Sequence, residues 1–143
     1  MKLQLVGSVN NQIEKKFITD LSQKIEAVGY ETSLFSSSFV RGRSGGGLKS
    51  VQAVVMILDG RLLAPLDYLN LGVFLAGKKQ SQPEKLLVAY KITSKTSVDN
   101  LEKIFDHIAS SEYGLIACLK DYLYLSNRHE QKNNRRPKDL DRN

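Results

Sequence analysis

A doubly wound α/β fold, with a mainly parallel sheet of four to five strands and helices on both faces, is predicted for this 143-residue chain. Three observations carry the prediction. "VQAVVMIL" (51–58) and "KLLVAYKI" (85–92) are continuous apolar runs of strand length, the pattern of strands buried on both faces. Segments with helical apolar spacing alternate with them, and parallel strands require such crossovers. Turn residues follow the strands at regular places.

Met1–Val6 alternates apolar residues and ends before Gly7-Ser8, which suits a first strand. Asn10 or Asn11 can cap the following helix. In that helix Ile13, Phe17, Ile18, Leu21, Ile25 and Val28 form one stripe, and Gly29 closes it. "YETSLF" supplies a second strand, and the Ser-, Gly- and Arg-rich "SSSFVRGRSGGGLKS" a loop. After the buried third strand, "APLDYLNLGVFLAGKKQ" (64–80) reads as a helix with Pro65 in its first turn. A fourth strand follows "QSQPE". Ser97 is expected to cap a helix carrying Val98, Leu101, Ile104, Phe105 and Ile108, and Tyr113–Leu125 to form a last helix.

Residues 1–126 are expected to form a single domain. The stretch 127–143 has six Lys/Arg, three Asp/Glu and one aliphatic side chain, Leu140, so it is expected to be a disordered basic tail. Half of the net charge of +6 lies there. The body is left with +3, a weak basis for a nucleic-acid surface, because phosphate affinity needs clustered cations. A solubilising tail is favoured over a nucleic-acid arm. No apolar run reaches a membrane span, and "MKLQLVGSVN" is too short and too β-like for a signal peptide. A cytoplasmic location is expected. The single cysteine, Cys118, reads as a core thiol, and neither a metal site nor a cofactor is expected.

In open α/β sheets ligands bind beyond the carboxyl ends of the strands. Gly7 and Ser8 at a strand-to-helix turn can turn N–H groups and a hydroxyl toward a ligand, although neither dinucleotide nor P-loop spacing is present. In the loop, Arg41 and Arg43 can fork onto phosphate oxygens, while Gly45, Gly46 and their neighbour expose N–H groups as an anion nest. Asp59, before Gly60, can accept two sugar hydroxyls. Asp67 and Asn70, three residues apart, share a helix face. Each of these has an ordinary structural explanation as a turn, linker or helix-dipole residue. Their convergence on one sheet edge favours a ligand site.

"LQLVGSV", "AVVMILDG" and "NLGVFLAGKK", in this order, resemble the nucleoside 2-deoxyribosyltransferase family and its 2'-deoxynucleoside 5'-phosphate N-hydrolase branch. The likeness runs from Met1 to about Ile92. Gly72 falls on the glycine of the family's active-site helix, and Gly77-Lys78 on the Gly-Lys before its next strand. The resemblance implies cleavage or exchange of an N-glycosidic bond by a Glu attacking the anomeric carbon. Here Asn70 stands at that position, and an amide cannot supply the nucleophile. The favoured reading is a nucleotide- or nucleoside-binding domain without normal glycosyl transfer. The alternatives are an active hydrolase or transferase using Asp67 or Asp59, a non-enzymatic module whose tail contacts nucleic acid, and a flavin site. The helix Leu66–Ala76, apolar nearly all round, calls for cover on more than one side, so a homodimer or higher homo-oligomer is expected, as the family resemblance also implies.

Overall fold

The computed structural model describes residues 1–35, 51–60, 65–78, 80–81, 84–93 and 101–141; the side-chain surroundings of Phe35 and of residues 65–68, 101–102 and 129–141 lie outside that description. The elements are β1 (Lys2–Val6), α1 (Gln12–Val28), β2 (Glu31–Phe35), β3 (Ala53–Leu58), α2 (Pro65–Lys78), β4 (Leu86–Lys91), a 3-10 turn (Leu101–Ile104), β5 (His107–Ala109) and α3 (Glu112–Asp141). All strand pairs are parallel, in the order β2-β1-β3-β4-β5. The expected α/β three-layer architecture is therefore the observed one.

Side-chain alternation along the strands sorts the core into two layers. Leu3, Leu5, Val55, Ile57, Val88 and Tyr90 meet Ile18, Leu21 and Ile25 of α1 and Leu115 and Leu119 of α3. On the opposite face Val54, Met56, Leu58, Leu87 and Ala89 meet Leu71 and Phe74 of α2. Every residue of β3 is buried, which is why its sequence shows no alternation.

α1 starts as its sequence suggests. Asn11 caps it, its Oδ1 accepting the Glu14 N–H at 2.8 Å. Gly29, at φ 126°, ends it with its own N–H on the Glu26 carbonyl, a backbone angle costly for any residue with a Cβ. The apolar stripe is only partly buried, for Ile13 is 83% exposed. The reason is length. Seventeen helical residues span roughly 25 Å, whereas strands of five or six residues span roughly 17–20 Å. The first turn therefore overhangs the sheet.

One further expectation changes. Ile108 was expected on a helix with Leu101, Ile104 and Phe105. Among the described residues Leu101–Ile104 form a 3-10 turn and Ile108 lies in β5, paired with Ala89; Ser97 and Val98 lie outside the described residues. A three-residue edge strand is too short to show any periodicity. Past residue 126 the chain stays helical, with α3 continuing to Asp141. The polar Lys, Arg, Glu and Gln that exclude this stretch from a core are good helix formers.

The amino edge of the sheet is held by buried polar contacts. The Lys78 ammonium, with its side chain 9% exposed, pairs with Glu84 at 2.7 Å and Asp106 at 2.9 Å. Asp106 also accepts the Leu87 N–H and donates its own N–H to the Leu87 carbonyl. Burial pulls the Lys78 pKa down, but the hydrogen bonds to Glu84 and Asp106 more than offset this, leaving it raised above 10.5. The stability it contributes is thus complete below that value and lost as pH rises through the folded pKa. Both carboxylates are partly exposed, so screening reduces the pair's worth. Lys78→Met is expected to destabilise the fold by about 1–3 kcal/mol in urea unfolding, with much of the loss absent when Asp106→Asn is already in place. Additive losses would show that the pair is uncoupled.

Candidate functional site

The strand order defines where a ligand can enter. β1 and β3 lie side by side, and from their carboxyl ends the chain leaves toward opposite faces, to α1 and to α2. In a 2-1-3-4-5 sheet this divergence opens a crevice between the two strand ends. Gly7 and Ser8 follow β1, and Asp59 and Gly60 follow β3, so the structure brings these four residues together at that point.

Gly7 is there for space. A Cβ on it would come within 3.0 Å of the Ile18 Cδ1 and 3.2 Å of the Ile57 Cδ1. Gly60, at φ 87°, turns the chain after β3 in a conformation that favours glycine. Asp59 is half-buried and engaged with other groups.

Ser8 is committed to the protein. Its hydroxyl donates to the Glu14 Oε2 at 2.6 Å, and the Asn10 N–H donates to the same oxygen at 2.9 Å. Glu14 thereby closes the turn and places a negative charge at the start of α1, where it favours the helix dipole. Sequence reasoning passed over this residue, although the Asn11-x-x-Glu14 spacing is that of a capping box. The charge makes this turn less hospitable to a phosphate than its glycine and serine suggest.

Asn70 lies in the second turn of α2. This helix descends from the carboxyl edge to Lys78, whose carbonyl accepts the Lys85 N–H just before β4. Asn70 is 2% exposed, on the same buried face as Leu71 and Phe74. Among the described residues neither its Oδ1 nor its Nδ2 has a hydrogen-bond partner. An amide stripped of water without replacement bonds costs about 1–3 kcal/mol, so a residue kept here needs a reason beyond packing. The outer face of the same helix is open. Leu69 is 56% exposed, and among the described residues nothing lies within 4 Å of a Cβ built on Gly72 or Gly77.

A cleft of about 390 Å³ opens further along the same edge. It is lined by Lys91 and Ile92 at the end of β4, Thr93, and Ser110 after β5. An ammonium and two hydroxyls suit an anionic group, and half-exposed Ile92 offers an apolar contact. The sequence signal was the polar "KITS" leaving a buried strand. Arg41, Arg43, Gly45 and Gly46 lie outside the described residues, as does the side chain of Asp67. Burial pushes the Cys118 thiol pKa up, which suits a packing role rather than a nucleophile. Among the described residues no cluster of His, Cys, Asp or Glu could hold a metal ion, and no helix is long and apolar enough to cross a membrane.

The order of strands and the crevice between β1 and β3 define an α/β three-layer protein of the flavodoxin-like kind. No family model and no curated protein matches the sequence. Solved structures do match the fold. A conserved protein from Enterococcus faecalis V583 is similar over 85% of this chain and 98% of its own, at 16% identity and a TM-score of 0.63. The CMP N-glycosidase BcmB of Clostridium botulinum is similar over 85% and 99%, at 16% identity and a TM-score of 0.56. A flavodoxin from the domain Archaea is similar over 91% and 99%, at 14% identity and a TM-score of 0.51.

Replacing the orphaned amide by an apolar group of similar volume removes its desolvation cost. Asn70→Leu is therefore expected to raise the unfolding free energy by about 1–3 kcal/mol. A fall in urea stability would show that the carboxamide is satisfied.

Proposed function

We propose that this chain binds a nucleoside 5'-monophosphate at the carboxyl edge of its sheet and does not cleave the N-glycosidic bond by the route its resemblance implies. The observation that carries the reading is Asn70, a buried carboxamide with two unused hydrogen-bonding groups, at the helix position where the resemblance places an attacking Glu. Covalent catalysis at the anomeric carbon needs a carboxylate oxygen to form the new bond and a negative charge to face the oxocarbenium-like transition state. A neutral amide supplies neither. It can still donate to one ligand oxygen and accept from one hydroxyl or base N–H.

Around it, Asp59 accepts sugar hydroxyls and the backbone of Gly7, Ser8 and Gly60 lines the crevice. The Glu14 charge directs the phosphate away from the first turn. Lys91, Thr93 and Ser110 then receive it. The fold shared with a CMP N-glycosidase supports a nucleoside monophosphate as the ligand class. The carboxamide is closed to solvent, so a ligand that uses it must displace what covers that helix face. The open outer side of α2 is also the surface on which a second copy of the chain would sit.

The test is to measure thermal stability and base release with CMP, its deoxy counterpart and the purine monophosphates. At about 100 times its dissociation constant, a bound ligand adds about 2.7 kcal/mol to stability, a rise of several degrees in Tm. That rise is expected without free base in the chromatogram, and it should disappear in Asn70→Leu. Asn70→Glu is expected to gain base release. Absence of stabilisation by every monophosphate would overturn the reading. So would base release by the unaltered protein that Asp67→Asn or Asp59→Asn abolishes.

A further inference from the structure

α3 is much longer than the sheet it packs on. Its 30 residues span roughly 45 Å, about twice the length of a strand. It starts at the carboxyl edge, after β5. By Tyr122 it has reached the amino edge, where the phenol donates to the Glu84 carbonyl at 2.6 Å and accepts from the Gln52 Nε2 at 3.0 Å. Both partners precede strands, β4 and β3 respectively. Ser126 is the last buried residue among the described side chains, and Asn127 and Arg128 are exposed. The remaining helix, to Asp141, runs for a further four turns.

Helical register sorts its charges. At about 100° per residue, positions 128, 132, 135 and 136 fall within roughly a third of the circumference. Arg, Lys, Arg and Arg occupy them. Lys138 lies about 60° outside this sector and Asp139 within it, while Glu130 and Asp141 fall on the opposite side. At the start of the stripe the Arg128 guanidinium stands 5.8 Å from the centre of the ring of Tyr124, one turn earlier, and that tyrosine is 61% exposed.

We propose that the distal part of α3 is a nucleic-acid-binding arm, with Arg128, Lys132, Arg135 and Arg136 along the phosphates and Tyr124 as a platform for a base. The residue types select this partner. A helix lying on a lipid surface needs an apolar face, and beyond Leu125 the only aliphatic side chain is Leu140. An acidic protein segment would match the cations but leaves the tyrosine unused. Cations interleaved with an exposed aromatic ring, and flanked by Gln131, Asn133 and Asn134, match the phosphates, bases and base edges of a nucleic acid.

The experiment is fluorescence anisotropy of the full chain with a labelled single-stranded oligonucleotide, across a series of salt concentrations. With about four phosphates neutralised, a fourfold rise in salt is expected to weaken binding by about 50-fold. The triple variant Lys132→Glu, Arg135→Glu, Arg136→Glu should lose at least about tenfold at low salt with unchanged thermal unfolding, and Tyr124→Ala about tenfold. No binding at low salt overturns the proposal, as does equal binding by the triple variant. Binding to phosphatidylserine vesicles or polyglutamate in place of the oligonucleotide overturns it in favour of a membrane or an acidic protein. None of these outcomes bears on the nucleotide site, which is read separately by monophosphate stabilisation.

Discussion

The buried Lys78 ammonium sets the position of much of the rest of the molecule. It belongs to α2, and its two carboxylate partners precede β4 and β5, so one charge ties three elements together. Asp106 extends the tie into the sheet through its paired hydrogen bonds with Leu87. Tyr122 joins α3 to the backbone of the same Glu84. Apolar contact is non-directional, and helices packed by it alone can slide along a sheet. A desolvated charge cannot slide without losing its partners, at a cost of about 1–3 kcal/mol for a partly screened pair. The ion pairs therefore fix how far α2 descends, and with it the height of Asn70 at the other end.

The two ends of α2 then differ in kind. At the amino edge a charged group is buried and satisfied; toward the carboxyl edge a neutral group is buried and left unsatisfied. Local rules of stability are kept at one end and broken at the other. Such violations concentrate where a protein meets something other than itself. The crevice between β1 and β3 lies at the same end, and so does the lysine- and hydroxyl-lined cleft.

Much of this was legible in the residues. β3 and β4 show as unbroken apolar runs because helices cover both faces. Asn11 and Gly29 mark the ends of α1 because capping chemistry is local. β5 was hidden, since three residues carry no period and the edge pairing that makes them a strand is made by β4. Lys78 stood out only as half of a Gly-Lys pair before the next strand, because its carboxylate partners, six and 28 residues away, meet it only once the chain folds. Ser8 read as a ligand hydroxyl until its bond to Glu14 was seen, although the capping spacing was available. Asn70 was conspicuous as a polar residue on an apolar helix, but only the fold shows that it faces the sheet with nothing to bond.

Tyr122 has a wider meaning than holding a helix. By marking where α3 crosses the amino edge, it assigns the crevice and the distal helix to opposite poles of the molecule. A small ligand at one pole and a polyanion at the other cannot collide, nor can either screen the other's charges over such a separation. In the absence of a conformational change that both sites bias, their affinities multiply independently. Whatever the crevice were to hold and whatever the helix were to lie against would be separated by the full height of the sheet.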